Sequence, residues 1–119
     1  MSLEYFISEK DGLSVVTLSG TVGKESGTLL KNCVDEIDQK GTRYVIVHAD
    51  RLDDIVPEAL RIFAVFQKLL RERDRTLRIV GLKNDLRKFL LQQGILYESE
   101  LRQDLREALQ EVKNALRAG

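Results

Sequence analysis

"YVIVHADRLDDIVPEALRIF", residues 44–63, decides how this chain folds. Its first four residues form a continuous apolar run, as expected of a strand covered on both faces. Pro57 fits the first turn of a helix, where its missing N–H costs nothing. Ala59, Phe63, Phe66 and Leu70 then give that helix, Pro57 to Arg73, its inner face. Between strand and helix stand the only histidine, His48, and three aspartates, Asp50, Asp53 and Asp54. The segment Asp50–Pro57 reads as a loop beyond a strand end, the place where open α/β sheets meet ligands and partners.

Working outward, residues 3–20 alternate apolar and polar side chains on both sides of Asp11-Gly12, a dipeptide suited to a tight hairpin turn. Leu29, Leu30, Cys33, Val34 and Ile37 recur at helical spacing, and Gly41 is placed to end that helix. Downstream, "LRIVGL" (77–82) is a further strand. Asn84 can cap a helix carrying Leu86, Phe89 and Leu90, stopped by Gly94. Ser99 can cap a last helix with Leu101, Leu105, Ala108, Leu109, Val112 and Leu116 on one stripe. The order β-β-α-β-α-β-α-α predicts one α/β domain over residues 1–119. Its sheet is mixed but mainly parallel, with an N-terminal hairpin at the edge and about four helices.

Composition narrows the function classes. A 43% apolar and 32% charged chain is globular rather than disordered. Nineteen basic residues balance nineteen acidic ones, so charge gives no argument for nucleic acid. The single Cys33 excludes an internal disulfide and fits a reducing compartment. No apolar run is long enough to cross a bilayer, and none looks like a signal peptide. The expectation is a cytoplasmic protein without direct membrane insertion.

Three features are weighed as sites. Asp50, Asp53 and Asp54 could hold a hard cation, with Lys24 or Thr21 recruited to bind phosphate. The preferred reading is a solvated loop whose acids favour the positive end of the next helix. His48 continues its strand and has no nucleophile at triad spacing, so it is expected at a packed or rim position. Cys33 lies on an apolar stripe and is expected in the core, and "GTVGKESG" (20–27) lacks phosphate-loop spacing and reads as a plain loop. No metal site and no cofactor are expected. The helix after Pro57 carries more apolar surface than one contact needs. Ile62, Val65 and Leu69 widen its stripe, while Arg61 and Lys68 keep the rest polar. A neighbouring helix or a partner must use that excess.

Residues from about 13 to 112 resemble the STAS domain, the fold of bacterial anti-sigma factor antagonists. "LSGTVGKESGTLLKNCVDEIDQKGTRYVIV" is similar to that family's second strand, first helix and third strand. "RTLRIVGLKNDLRKFLLQQGI" is similar to its fourth strand and following helix, and "LREALQEV" to the start of its closing helix. Switching members carry Asp-Ser-Ser/Thr-Gly-Leu at the entrance to the second helix, where a partner kinase phosphorylates the second hydroxyl. An ungapped alignment sets Val56 on the Asp, Pro57 on the first Ser, Glu58 on the phosphoacceptor, Ala59 on the Gly and Leu60 on the Leu. Only Leu60 matches, and no Ser or Thr lies between Arg51 and Leu70. Where the family usually closes its third strand with an acid stands His48.

The resemblance implies a non-enzymatic, protein-binding regulatory domain with an anti-sigma factor or related switch kinase as partner. Its partner-binding residues are expected to be Asp50, Asp53, Asp54, Val56, Pro57, Glu58, Arg61, Val65 and Leu69. Glu58 either mimics a phosphorylated residue, with less charge than phosphoserine, or is an acid suited to a helix start, the preferred reading. Two other classes stay open. One is an accessory subunit of a transport or larger signalling assembly, and the other a small metal-dependent enzyme using Asp50, Asp53 and Asp54. Homodimer formation is also left open.

Overall fold

The computed structural model describes residues 2–118, and over them the chain alternates strands and helices. The order is β1 (Glu4–Lys10), β2 (Leu13–Val22), α1 (Gly27–Lys40), β3 (Tyr44–Ile55), α2 (Leu60–Arg71), β4 (Thr76–Val80), α3 (Asn84–Gln92) and α4 (Leu105–Ala118). Short 3₁₀ turns, Pro57–Ala59 and Glu98–Glu100, precede α2 and α4. The strands lie side by side in the order β1-β2-β3-β4. β1 is antiparallel to β2, and β2, β3 and β4 are parallel. This is the expected mixed α/β sheet. Asp11 and Gly12 both take positive φ (51° and 86°), as the two-residue hairpin turn requires.

The largest correction falls on residues 50–55, which are strand and not loop. β3 runs twelve residues and stays paired with β2 to Ile55, and β2 itself continues through Val22. Thr17 faces His48 while Ser19 faces Arg51, and Gly20 faces Leu52 while Thr21 faces Asp54. At each step β3 spends one residue more than β2, so it carries two bulges. Each bulge stretches the side-chain period from two to three. Ala49, Leu52 and Ile55 therefore all reach one core, while Asp50, Arg51, Asp53 and Asp54 are exposed. A strand with that spacing shows no alternation and looks like a loop in sequence. Gly20 sits at the second bulge with φ +98°, and a Cβ there would stand 2.3 Å from the Ser2 carbonyl oxygen.

The sheet is covered on both faces. One face, with Val16, Leu18, Val45, Val47, Leu77 and Ile79, packs under α1 and α2, and Phe63, Phe66 and Leu70 join that core as expected. Cys33 is fully buried there. The other face, with Ile46 and Val80, packs under Ala108 and Val112 of α4. Glu111 ties α4 to the sheet edge, accepting hydrogen bonds from Arg102 (2.7 Å) and Arg78 (3.0 Å). The Arg102 guanidinium is the main reason its carboxyl is held below the ordinary range, and burial opposes it.

Helix ends correct three smaller expectations. Gly41 (φ 64°) and Gly94 (φ 72°) do close their helices in the left-handed conformation. Asn84, however, is the first residue inside α3. Lys83 makes the extended entry, and the Asn84 side chain accepts from Arg87 instead of capping. Ser99 lies in the 3₁₀ turn, and Leu101 forms a β-bridge with Ile79 rather than joining the α4 stripe. The α4 cap is Asp104, whose carboxylate accepts the Glu107 N–H (2.9 Å) while Glu107 accepts the Gln103 N–H (3.1 Å). Finally, α2 stops at Arg71 because Arg73 and Asp74 turn to positive φ.

Two donors, the fully buried Cys33 thiol and the partly exposed Tyr5 hydroxyl, should make stability fall in alkali. Burial first, and the nearby Glu36 charge second, push the Cys33 thiol from 9.0 up to about 12. The hydrogen bond that the Tyr5 hydroxyl donates to Glu36, followed by burial, pushes Tyr5 from 10.0 up to about 12. Both folded values are raised, so the fold favours the protonated forms. The contribution is complete below about pH 9 and is lost as pH rises toward 12. Urea midpoints measured from pH 7 upward should fall beyond pH 9, and a Cys33→Ala/Tyr5→Phe variant should show a shallower slope. An equal slope in both proteins would refute this assignment.

Candidate functional site

The ends of β3 and β4 bring together most residues singled out in the sequence. His48 is the last residue of β3 to pair with β4, opposite Val80, and sits at the rim as expected. Its Nε2 stands 3.9 Å from the Asp50 carboxylate. Beside it the chain leaves β4 through Gly81, φ +83°, where a Cβ would lie 2.8 Å from the Asp50 amide nitrogen. Only glycine allows this close approach of the two strand ends. Thr21 is held in the ladder opposite Asp54, and Lys24 lies exposed in the turn before α1.

The residues expected to bind a partner divide between two hollows. Asp53, Asp54 and Pro57 line one of about 640 Å³, together with Lys83, just before α3, and Leu86 and Phe89 within it. Lys83 spans it, with Nζ 3.8 Å from the Asp53 carboxylate and 3.3 Å from its carbonyl oxygen. Glu58, Arg61, Val65 and Leu69 line the other, an apolar groove of about 370 Å³ between α1 and α2. Its opposite wall is Leu30, Lys31 and Val34 of α1. Val56 packs half-buried against the core between the two, and Asp50 belongs to neither hollow.

The apolar excess of α2 is thus shared. α1 partly covers Ile62 and Leu69, which pack against the core, while Val65 stays 48% exposed at the groove. Glu58 is the middle residue of the 3₁₀ turn and exposed; no hydrogen bond joins its side chain to another described residue. It offers a carboxylate to the positive end of α2 without acting as a direct cap. Sequence reasoning missed the α1 wall and the α3 side, Lys83 and Phe89. The sequence shows only that Phe89 shares a helical stripe with Leu86 and Leu90; its 39% exposure belongs to the structure.

Among the described residues no group of three His, Cys, Asp or Glu side chains is placed to hold a metal ion. The bulges explain this locally: Asp50 and the Asp53–Asp54 pair fall on different steps of β3, and Lys83 takes Asp53. No helix of the described residues is long and apolar enough to cross a membrane.

No family model matches the chain, and no curated protein matches its sequence. Solved structures do match. An anti-sigma factor antagonist from Mycobacterium paratuberculosis superposes with TM-score 0.75 at 19% identity, over 94% of this chain and 95% of that one. The STAS domain of a SulP transporter from Vibrio cholerae gives 0.77 at 15% identity, over 94% and 89%. An RsbS variant from Moorella thermoacetica, with a serine replaced by glutamate, gives 0.77 at 16% identity, over 95% and 97%. The strand order, the edge hairpin and the placement of the helices therefore have solved counterparts, and the chain has the fold of a STAS domain.

Proposed function

We propose that this chain is a non-enzymatic protein-binding regulatory domain that docks an anti-sigma factor or related switch kinase. The docking surface is the groove between α1 and α2, with Asp50, Asp53, Asp54 and Pro57 on the adjoining rim. One observation carries the reading: Glu58, Arg61, Leu69 and the half-exposed Val65 line a single apolar groove. Apolar contact surface within a polar rim is how binding hot spots are built. The segment 51–70 has no Ser or Thr, so the partner binds here without phosphorylating the second-helix entrance.

The test is Val65→Lys with the cognate anti-sigma factor. Stability should change by no more than about 0.5 kcal/mol, as for an exposed position. Affinity should fall by about tenfold or more, as for a lost hot spot. Unchanged affinity would move the interface elsewhere. Mass spectrometry after incubation with partner and ATP should find no phosphate on residues 51–70. A second reading, an accessory domain of a transport assembly, is favoured by the equally good superposition on the SulP transporter domain. Co-purification of a membrane transporter instead of a soluble kinase would select it.

A further inference from the structure

The strand β1 forms one edge of the sheet, with its outer side unpaired by any described strand. Edges of this kind are usually shortened, bulged, interrupted by proline or covered. β1 is neither short, bulged nor broken by proline: seven residues pair with β2 in unbroken register, and its remaining defence is charge, Glu4, Glu9 and Lys10. It also carries Phe6, 68% exposed, the largest apolar exposure of a side chain on the sheet.

The hairpin geometry fixes which backbone groups are free. A two-residue turn makes Lys10 and Leu13 a hydrogen-bonded pair, and the bonding alternates from there. The N–H and C=O groups of Tyr5, Ile7 and Glu9 therefore point outward. A second β1, laid antiparallel, can pair all seven residues in one register only, the one centred on Ile7 opposite Ile7. In that register Tyr5 meets Glu9 and Glu9 meets Tyr5, so every outward group finds a partner. Glu4 falls opposite Lys10 at both ends. Neither residue makes an ion pair with another described residue in the single chain. Charges that would discourage a foreign strand thus complement a second copy.

The same register sets Phe6 opposite Ser8 of the other copy, on the α4 face of the sheet. Ser8 lines an apolar groove of about 460 Å³ with Lys10, Leu13, Leu105, Leu109 and Leu116. Leu116, which the α4 stripe directs here, is 42% exposed. Phe6 and the groove are complementary, and two-fold symmetry makes the contact reciprocal. We propose that the β1 edge is a homodimer interface: two copies form one continuous eight-stranded sheet, each seating Phe6 beside Ser8 in the other's α4 groove. It lies on a different surface from the docking groove and does not depend on that assignment.

Sedimentation equilibrium tests it on the whole chain up to about 1 mM, where a weak dimer is populated by mass action. Wild type should dimerise. Phe6→Lys should lower the association constant by about tenfold or more. Lys10→Glu, which sets Glu4 against glutamate twice per dimer, should lower it by about fivefold. The double reversal Glu4→Lys/Lys10→Glu should restore it to about wild type, since it re-forms both opposite-charge pairs in this register and in no shifted one. All three positions are exposed, and melts of dilute samples verify folding. A wild-type chain that stays monomeric, a dimer indifferent to Phe6→Lys, or a double reversal that fails to restore dimerisation overturns the proposal.

Discussion

Replacing Arg71 with methionine should cost about 3–5 kcal/mol, because it strands a buried carboxylate. Glu100 has an 8% exposed side chain, and the Arg71 guanidinium meets it through Nε and through Nη2 at 2.9 Å. The same guanidinium donates to the Ile95 carbonyl (2.6 Å) and lies 4.2 Å from the centre of the Tyr97 ring. Glu100 also accepts the Tyr97 N–H at 3.2 Å, so one ion pair fastens residues 95–101 to the end of α2. Methionine keeps the aliphatic bulk and removes the charge. Glu100 is then left with a single amide donor, too little to offset its desolvation. Adding Glu100→Gln should recover most of the loss, since no charge then remains buried. Urea denaturation of the wild type, the single and the double variants measures this. A single-variant loss below about 1 kcal/mol would mean that Leu96 and its neighbours hold the segment by apolar packing alone.

Phe63→Ala should be comparably damaging, by about 3–5 kcal/mol, which lowers Tm by roughly 10–20 °C in a domain of this size. Phe63 is fully buried, with its ring centre 5.9 Å from that of Phe66. It projects from the first turns of α2 onto the main core beneath. Truncation leaves a cavity that the paired ring and the sheet can only partly fill. The measurement also checks the docking assignment. Val65 lies two residues away on the same helix and should be insensitive, so equal losses at both positions would place Val65 in the core. Gln67 is also fully buried on α2, and neither of its amide atoms has a hydrogen-bond partner among the described residues.

What sequence revealed here follows from the range of the forces involved. The hairpin turn, the apolar face of α2, the buried Cys33 and the glycine stops at Gly41 and Gly94 are local. Each depends on residues within one or two turns, so spacing alone exposes them. The course of β3 beyond His48 is not local. Whether "ADRLDDI" is strand or loop depends on β2 lying beside it with one residue fewer at two steps. The ion pair of Arg71 with Glu100 spans 29 positions, and nothing near Arg71 marks it. The candidate site was legible on the α2 side, where Val65 widens an otherwise sufficient apolar stripe. Its α1 wall and Lys83 were not, because they approach only once the sheet brings its two crossovers and the start of α3 together. The Asp104–Glu107 cap was readable as a capping pair, but Ser99 offered an earlier, equally plausible start.

The two bulges also loosen the tie between chain length and inside–outside order. In a regular strand, adding or losing one residue exchanges the core face with the solvent face for everything that follows. Here Asp53 is the surplus residue of the second bulge, and the pairs Gly20–Leu52, Thr21–Asp54 and Val22–Ile55 do not involve it. Removing it leaves those partners, and the inward direction of Leu52 and Ile55, as they are. The rim that precedes α2 can therefore lengthen or shorten by single-residue indels while the core keeps its frame. Such a rim can diversify its charges and reach among descendants of one fold without each change requiring a repacked interior.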